Sequence, residues 1–330
     1  MAGRRAPRAG CGVARTNGGY SRQVKFAHLR VDGQSTPRLA AVFGESALFL
    51  DEILEDAPRD LQDLIERGSA EYDRVRALSE NAAAHGATLT PLEELRYSSA
   101  VLRPPQIIAI GANYAAHSDE LKLRTETGAI LFSLWPNSLT GHGSTVTWAS
   151  DIATQVDYEA ELGVIIGRPA RNVSVRDALD YVFGYTVVND ITARNLQFSE
   201  AQWSRCKSFD GFTPTGPIVV TRDEIADPQD LGLTTHVDGR IMQDASTGDM
   251  VRSVAELVSY LSQTSTLLPG TLISTGSPGG AGYSRTPRRG WHLSCDQPHR
   301  QLHRRASNRE DRAPNGRTAQ AWRQSVLFSS

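Results

Sequence analysis

The sequence predicts an α+β fold rich in β-structure, with a small α/β module at its front. Two observations carry this expectation. From about Val101 to Gly282 the chain is a series of short β-branched runs separated by Gly, Pro and Asp, with helical spacing mainly at Val254 to Leu261. Many short strands punctuated by turn residues argue for a β-rich barrel or sandwich-like core with a few covering helices. The composition agrees: 28 Gly and 16 Pro in 330 residues, with 39% hydrophobic and 22% charged, suit a loop-rich soluble chain.

Taken in order, residues 1–23 are small, polar and basic, and are expected to be a disordered extension. They have no apolar centre, so they do not read as a secretory signal; their Arg-rich, acid-free make-up weakly resembles a transit peptide but lacks amphipathic spacing. Residues 24–96 alternate strand signals (Val24 to Val31, Leu39 to Phe43) with a helical one around Arg59 to Arg67, where Leu61, Leu64 and Ile65 share a face. This stretch is the expected small N-terminal α/β domain. Residues 97–284 form the expected main domain, with strands at Ile107 to Ile110, Leu162 to Ile166, Val182 to Val188, Ile218 to Thr221 and Leu272 to Thr275. Residues 285–330 are Arg-rich, without lysine and without apolar periodicity, and are expected to be a disordered tail.

A formal charge of -2 gives no reason to expect nucleic acid or an anionic membrane as partner. No apolar run approaches the roughly 20 residues that span a bilayer. Cys11, Cys206 and Cys295 are far apart and odd in number, which suggests neither a disulfide framework nor a zinc site. A reducing cytoplasm is the default setting.

The chemistry concentrates in four segments. In VDYEAELGVIIG a strand would point Glu159 and Glu161 to one face and Leu162, Val164 and Ile166 to the other. Two carboxylates in an apolar strand either meet a cation or sit solvated at a sheet edge. Asp190 ends the apolar run YVFGYTVVND and supplies a third acid. Three oxygen ligands without His or Cys suit Mg²⁺ or Mn²⁺, with Ca²⁺ also compatible and zinc disfavoured. In IIAIGANYAAHSDEL a helix after Asn113 would make His117 and Glu120 neighbours, either a proton-handling pair or an exposed contact. Lys207 is an ordinary surface lysine or, beside a metal, a group that neutralises a substrate carboxylate or an enolate. The Gly-rich loop after Leu272 could hold a carboxylate on its amides and the Thr275 hydroxyl, or be only a turn.

Together these segments resemble the fumarylacetoacetate hydrolase family over roughly Val24 to Gly282. GANYAAHSDEL, DYEAELGVIIGR, DALDYVFGYTVVNDITARNLQ, KSFDGFTPTGP, MQDASTGDM and LLPGTLISTGSPGGAG stand in the family's order. The resemblance implies a mixed β-roll, often preceded by a small N-terminal domain, and a homodimer. It implies Mg²⁺ or Mn²⁺ on Glu159, Glu161 and Asp190, with His117 and Glu120 as the water-activating pair and Lys207 as the active-site lysine. Gln197 and Thr275 match positions that line the substrate pocket, and Tyr114 and Gly276 complete the expected contacts with a small oxo-acid substrate. The reactions implied are carbon–carbon cleavage in 2-oxo or diketo acids, decarboxylation of oxaloacetate-like acids, or isomerisation of unsaturated diacids, and the residues do not separate them. Substrate choice is expected to involve a lid around Leu121 to Thr127.

Departures accompany the match. Leu134 falls where many members have a lysine, Cys206 where glycine is common, Thr271 where aspartate is usual and Ser277 where threonine is usual. After Pro287 the apolar segment, Pro-Gly-Asp turn and final strand of the family do not follow. A lost reading frame near Pro287, leaving an inactive remnant, is therefore an expectation to weigh, as is a start site set too early.

Overall fold

The computed structural model describes residues 24–122 and 129–285, together with the backbone of two strands at 319–322 and 325–329. The expectations for residues 1–23 and for most of the lid lie outside the described residues. So does most of the tail.

The front of the chain folds as an antiparallel sheet backed by two helices. Strands β1 (Lys25–Val31), β2 (Arg38–Phe43) and β3 (Ser46–Phe49) precede helices α1 (Leu61–Arg67) and α2 (Ser69–Ala84); β4 (Thr90–Pro91) and β5 (Leu95–Tyr97) then complete the order β4-β3-β2-β1-β5. Helix α1 begins where Asp60 accepts the Asp63 backbone N–H, which satisfies one of the donors that a helix start leaves over. It ends at Gly68, whose φ of 86° is costly for a side chain with a Cβ. Helix α2 was not legible in the sequence: only Val75, Ser79 and Ala83 are buried, a stripe too narrow to register as amphipathic.

The rest is a mixed, sheet-rich body with few helices. Its strands are β6 (Ile107–Gly111), β7 (Ile130–Ser133), β8 (Leu139–Gly141), β9 (Val146–Ala149), β10 (Val156–Asp157), β11 (Ala160–Ile166), β12 (Val182–Asn189), β13 (Thr192–Ala193), β14 (Thr213–Thr215), β15 (Val220–Thr221), β16 (Gly232–Val237), β17 (Arg240–Ser246) and β18 (Leu272–Ser274). Helices α3 (Ala115–Leu121), α4 (Arg194–Gln197), α5 (Ser204–Lys207) and α6 (Val254–Thr264) are interspersed. The central sheet runs β7-β6-β18-β11-β12-β14-β8, with β18–β6 and β14–β8 parallel and the other pairs antiparallel. Within the stretch expected to be a disordered tail, β19 (Ala319–Trp322) pairs with β9 and β20 (Ser325–Ser329) pairs with β16.

Strand β11 is buried on both faces, which sets its composition. Leu162, Val164 and Ile166 pack on Val254, Leu257, Val258 and Leu261 of α6. Ile165, on the opposite face, joins Val188 and Leu272 in a second cluster. That second cluster also contains Phe26, Leu39, Leu64 and Val75 from the front of the chain. The N-terminal sheet therefore shares its core with the central sheet, and Phe26 and Val219 exchange backbone hydrogen bonds of 2.9 and 2.7 Å across the junction.

Candidate active site

Register brings the three predicted acids together. In the antiparallel β11–β12 pair Ala160 stands opposite Asn189, so the next step outward sets Glu159 opposite Asp190. The Asp190 N–H donates to the Glu159 carbonyl at 2.9 Å. Carboxylate oxygens of Glu159, Glu161 and Asp190 lie within 4.8 Å of one another, and all three residues are buried. Alternation along β11 keeps Glu159 and Glu161 on one side.

Strand β6 runs into α3, which lays His117 over the acids with its Nε2 3.1 Å from Glu159 Oε1. On its other side His117 Nδ1 is 3.6 Å from Glu120 Oε2, a charge attraction longer than a hydrogen bond. Lys207, at the end of α5, reaches in from below: its Nζ contacts Glu159 Oε2 at 2.6 Å and also Asp190 Oδ2. The Phe132 ring sits 5.2 Å beneath that ammonium. Residues His117, Glu159, Glu161, Asp190 and Lys207 thus converge on one cluster from four elements, with Glu120 behind His117.

The pocket residues are placed differently from one another. Gln197 lines the chamber and accepts from Arg194 Nη1 at 2.8 Å. Tyr114 is buried, with a hydroxyl that has no hydrogen-bond partner among the described residues; burial, then the Glu161 charge, pushes its pKa up. The Thr275 hydroxyl donates to the Leu162 carbonyl at 2.8 Å, so it is engaged with β11. The Gly276 N–H donates to Glu161 Oε2 at 2.8 Å, alongside the Ser274 hydroxyl at 2.6 Å. The Gly-rich loop therefore orients a carboxylate of the protein itself.

Sequence reasoning missed Arg194. Its side chain is completely buried, with Nη2 2.7 Å from Glu159 Oε1 and 2.9 Å from Asp157 Oδ2. Asp157 also receives the Gly282 and Tyr283 N–H groups, tying the loop after β18 to the acid cluster. DITARNL has more polar than apolar residues, so local sequence carries no signal that this guanidinium is buried against carboxylates. Leu134, where the family often has lysine, is buried among Ile107, Phe132 and neighbours rather than on the chamber wall. The Cys206 thiol donates to the Trp203 carbonyl at 3.1 Å, and burial pushes its pKa up to about 12. Ser277 accepts from Gln243, and Thr271 donates to Gln106.

The electrostatics ask for a cation. Burial alone would raise Glu159, yet Arg194, Lys207 and His117 hold it well below the usual carboxylate range. Glu161 touches no cation: burial and the Asp190 and Glu159 charges push it up to about 8, against the weaker pull of Lys207 and the Ser274 hydroxyl. Burial lifts Asp190 to about 6 against the pull of Lys207. Burial would lower His117, but Glu120 and Glu159 raise it overall. Asp190 Oδ1 is buried without a hydrogen-bond partner among the described residues. A buried, unpartnered oxygen beside two more carboxylates is a donor set for a hard divalent ion, so the residues present fit Mg²⁺ or Mn²⁺.

Comparisons with known proteins agree with this geometry. The fumarylacetoacetate (FAA) hydrolase C-terminal family model matches residues 106–308, running past Pro287, where the family pattern reads as ending. The oxaloacetate tautomerase YisK of Bacillus subtilis is 37% identical over 241 residues, 71% of this chain and 80% of that protein. The mitochondrial oxaloacetate tautomerase Fahd2a of Rattus norvegicus is 33% identical over 244 residues, covering 72% and 76%. Among solved structures, the fumarylacetoacetate hydrolase of Exiguobacterium antarcticum superposes with a TM-score of 0.69 at 32% identity, over 81% of this chain and 91% of that one. Maleylpyruvate hydrolase from Sphingobium sp. SYK-6, in complex with manganese(II) and pyruvate, gives 0.65 at 27% identity over 78% and 90%.

Proposed function

This chain belongs to the fumarylacetoacetate hydrolase family, and from that premise we propose that it is a divalent-cation-dependent hydrolase or lyase cleaving a carbon–carbon bond in a small 2-oxo or diketo acid. The observation that carries the reading is the buried acid triad with Lys207 seated on it and His117–Glu120 alongside. Glu159, Glu161 and Asp190 would hold the ion, which when bound supplies Lewis-acid polarisation of a substrate oxygen.

The remaining steps belong to side chains. Lys207 is a fixed positive charge, kept protonated by Asp190 and Glu159 against the pull of burial, and offsets negative charge on an enolate. His117 takes a proton from water, and Glu120 stabilises the imidazolium that results. The water oxygen adds to the distal carbonyl, the carbon–carbon bond breaks with its electron pair left on the enolate, and the same imidazole returns the proton to the enolate carbon. Gln197 and Tyr114 orient the substrate from the chamber side, while Thr275 and Gly276 act through Leu162 and Glu161. Supporting the cation is the neighbour solved with manganese(II) and pyruvate.

A second reading is interconversion or decarboxylation of oxaloacetate, favoured by the relatives named as oxaloacetate tautomerases. Purified chain with Mg²⁺ or Mn²⁺, offered an acylpyruvate and oxaloacetate side by side, separates the two. Pyruvate released from the acylpyruvate supports cleavage. Turnover of oxaloacetate alone supports the second reading, and turnover of neither contradicts both. The proposal also makes the enzyme a cytoplasmic homodimer without nucleic-acid or membrane partners. No helix among the described residues is long and apolar enough to cross a membrane. Light scattering of the purified chain tests the dimer.

A further inference from the structure

Away from the acid cluster, a cavity of about 480 Å³ lies where helix α2 meets the central sheet, large enough for a small organic molecule. It sits at the far ends of the two strands that carry the acids. Gly167 and Arg168 follow β11 and Val182 and Phe183 open β12, whereas Glu161 and Asp190 lie towards the opposite ends. At about 3.3 Å per strand residue, the seven steps from Glu161 to Arg168 span roughly 23 Å, so the two sites are separate.

The floor of this cavity is apolar. Leu64 and Ile65 of α1, Val182 of β12, and the rings of Tyr72 and Phe183, 5.7 Å apart and edge to face, supply it. The rim carries three arginines and three aspartates. Arg222 is paired with Asp180 at 2.7 Å. Arg76 is held loosely, 3.5 Å from both Asp73 and Asp223. Arg168 lies on the Tyr181 ring, 4.2 Å from its centre, and makes no ion pair among the described residues. Asp73, 64% exposed, has only the distant Arg76 as a cation.

A rim with both signs in balance gives no net attraction to a simple anion or a simple cation. It suits a molecule that carries one charge of each sign. A carboxylate matches the planar guanidinium of Arg168, and an ammonium matches Asp73. An apolar group on the same molecule would leave water for the floor. We infer that this cavity binds a free α-amino acid with a large apolar side chain. Its carboxylate rests on Arg168, its ammonium on Asp73, and its side chain over Leu64, Ile65 and Val182. The site depends on neither the metal nor the oxo-acid reading.

Ligand-detected NMR on the full-length chain tests this with three molecules of one shape. They are L-leucine, 4-methylpentanoate, which lacks the ammonium, and 3-methylbutan-1-amine, which lacks the carboxylate. In the parent, L-leucine should bind about tenfold more tightly than either analogue. Asp73→Asn should bring it to within about twofold of 4-methylpentanoate, and Arg168→Met to within about twofold of the amine. Both side chains are exposed, so neither substitution disturbs the core. Affinity should be the same in Mn²⁺ and in EDTA. Binding that requires Mn²⁺ would move the amino acid to the acid cluster and overturn the site. So would a preference for L-leucine that survives both substitutions, or no saturable binding at about 10 mM.

Discussion

Arg194 has the largest structural consequence of any single residue in the site. Its guanidinium lies wholly buried between Asp157 and Glu159, so removing it leaves Asp157 without its cation and Glu159 with only Lys207 and His117. Arg194→Met should cost roughly 3–5 kcal/mol in urea unfolding, the range for breaking a buried ion pair from one side. Lys207→Met is expected to behave differently. Catalysis should fall about 100- to 1,000-fold, as for loss of one charge-stabilising donor, while metal binding persists. Steady-state kinetics and manganese titration of the same preparation check both halves of that expectation. At this scale the acid triad was suggested by carboxylates within apolar strand runs, which are costly to bury unpaired, whereas His117, Glu120 and Lys207 read equally well as surface groups until the family resemblance singled them out. Arg194 was not, since an arginine in a short polar-flanked segment reads as solvated. The direction of the Thr275 hydroxyl was equally hidden, being set by the pairing of the Gly-rich loop with β11 rather than by local sequence.

At the scale of elements, β6, β11, β12 and β18 of the central sheet were legible to within about two residues, because their β-branched runs are bounded by turn residues, whereas β7, β8 and β14 were not read from the sequence. The short polar β4, β10 and β13 were not, since two-residue strands carry no periodicity. His28 on β1 shows how elements are joined. Its Nδ1–H donates to the Ser99 carbonyl at 3.1 Å and its Nε2 accepts the Leu61 N–H at 3.0 Å, linking β1, the segment after β5 and the start of α1. The Nε2 bond requires the neutral ring, and burial pushes the pKa down to about 4 despite the Ser99 bond. The unfolded chain therefore binds a proton below about 6.5 that the folded one refuses. Stability from this group is complete above pH 6.5 and is lost as pH falls towards 4, by about 3 kcal/mol in all. Urea midpoints measured across that window should fall with acid in the parent and less steeply in His28→Gln. Gly141 on β8 is a second junction: a Cβ there would lie 2.4 Å from the Tyr97 carbonyl oxygen. That obstacle is backbone, so Gly141→Ala should destabilise by roughly 1–3 kcal/mol, seen as a lower melting temperature.

For the whole molecule, the core that runs from Phe26 through Val188 to Leu272 makes the front sheet and the central sheet one cooperative body. Sharing of that kind was not legible, because a composition change near residue 97 marks a seam without showing what packs across it. Metal binding at the triad should therefore be felt as stability of the entire fold. The most direct measurement is thermal unfolding of the purified chain with and without 1 mM MnCl₂, repeated on Glu161→Gln. At a hundredfold excess over the dissociation constant the ion adds about 2.7 kcal/mol, roughly a 5 °C rise in the midpoint. The account predicts that rise in the parent and its loss in Glu161→Gln. A midpoint indifferent to Mn²⁺, or one raised equally in both proteins, would contradict a metal centre built on Glu159, Glu161 and Asp190.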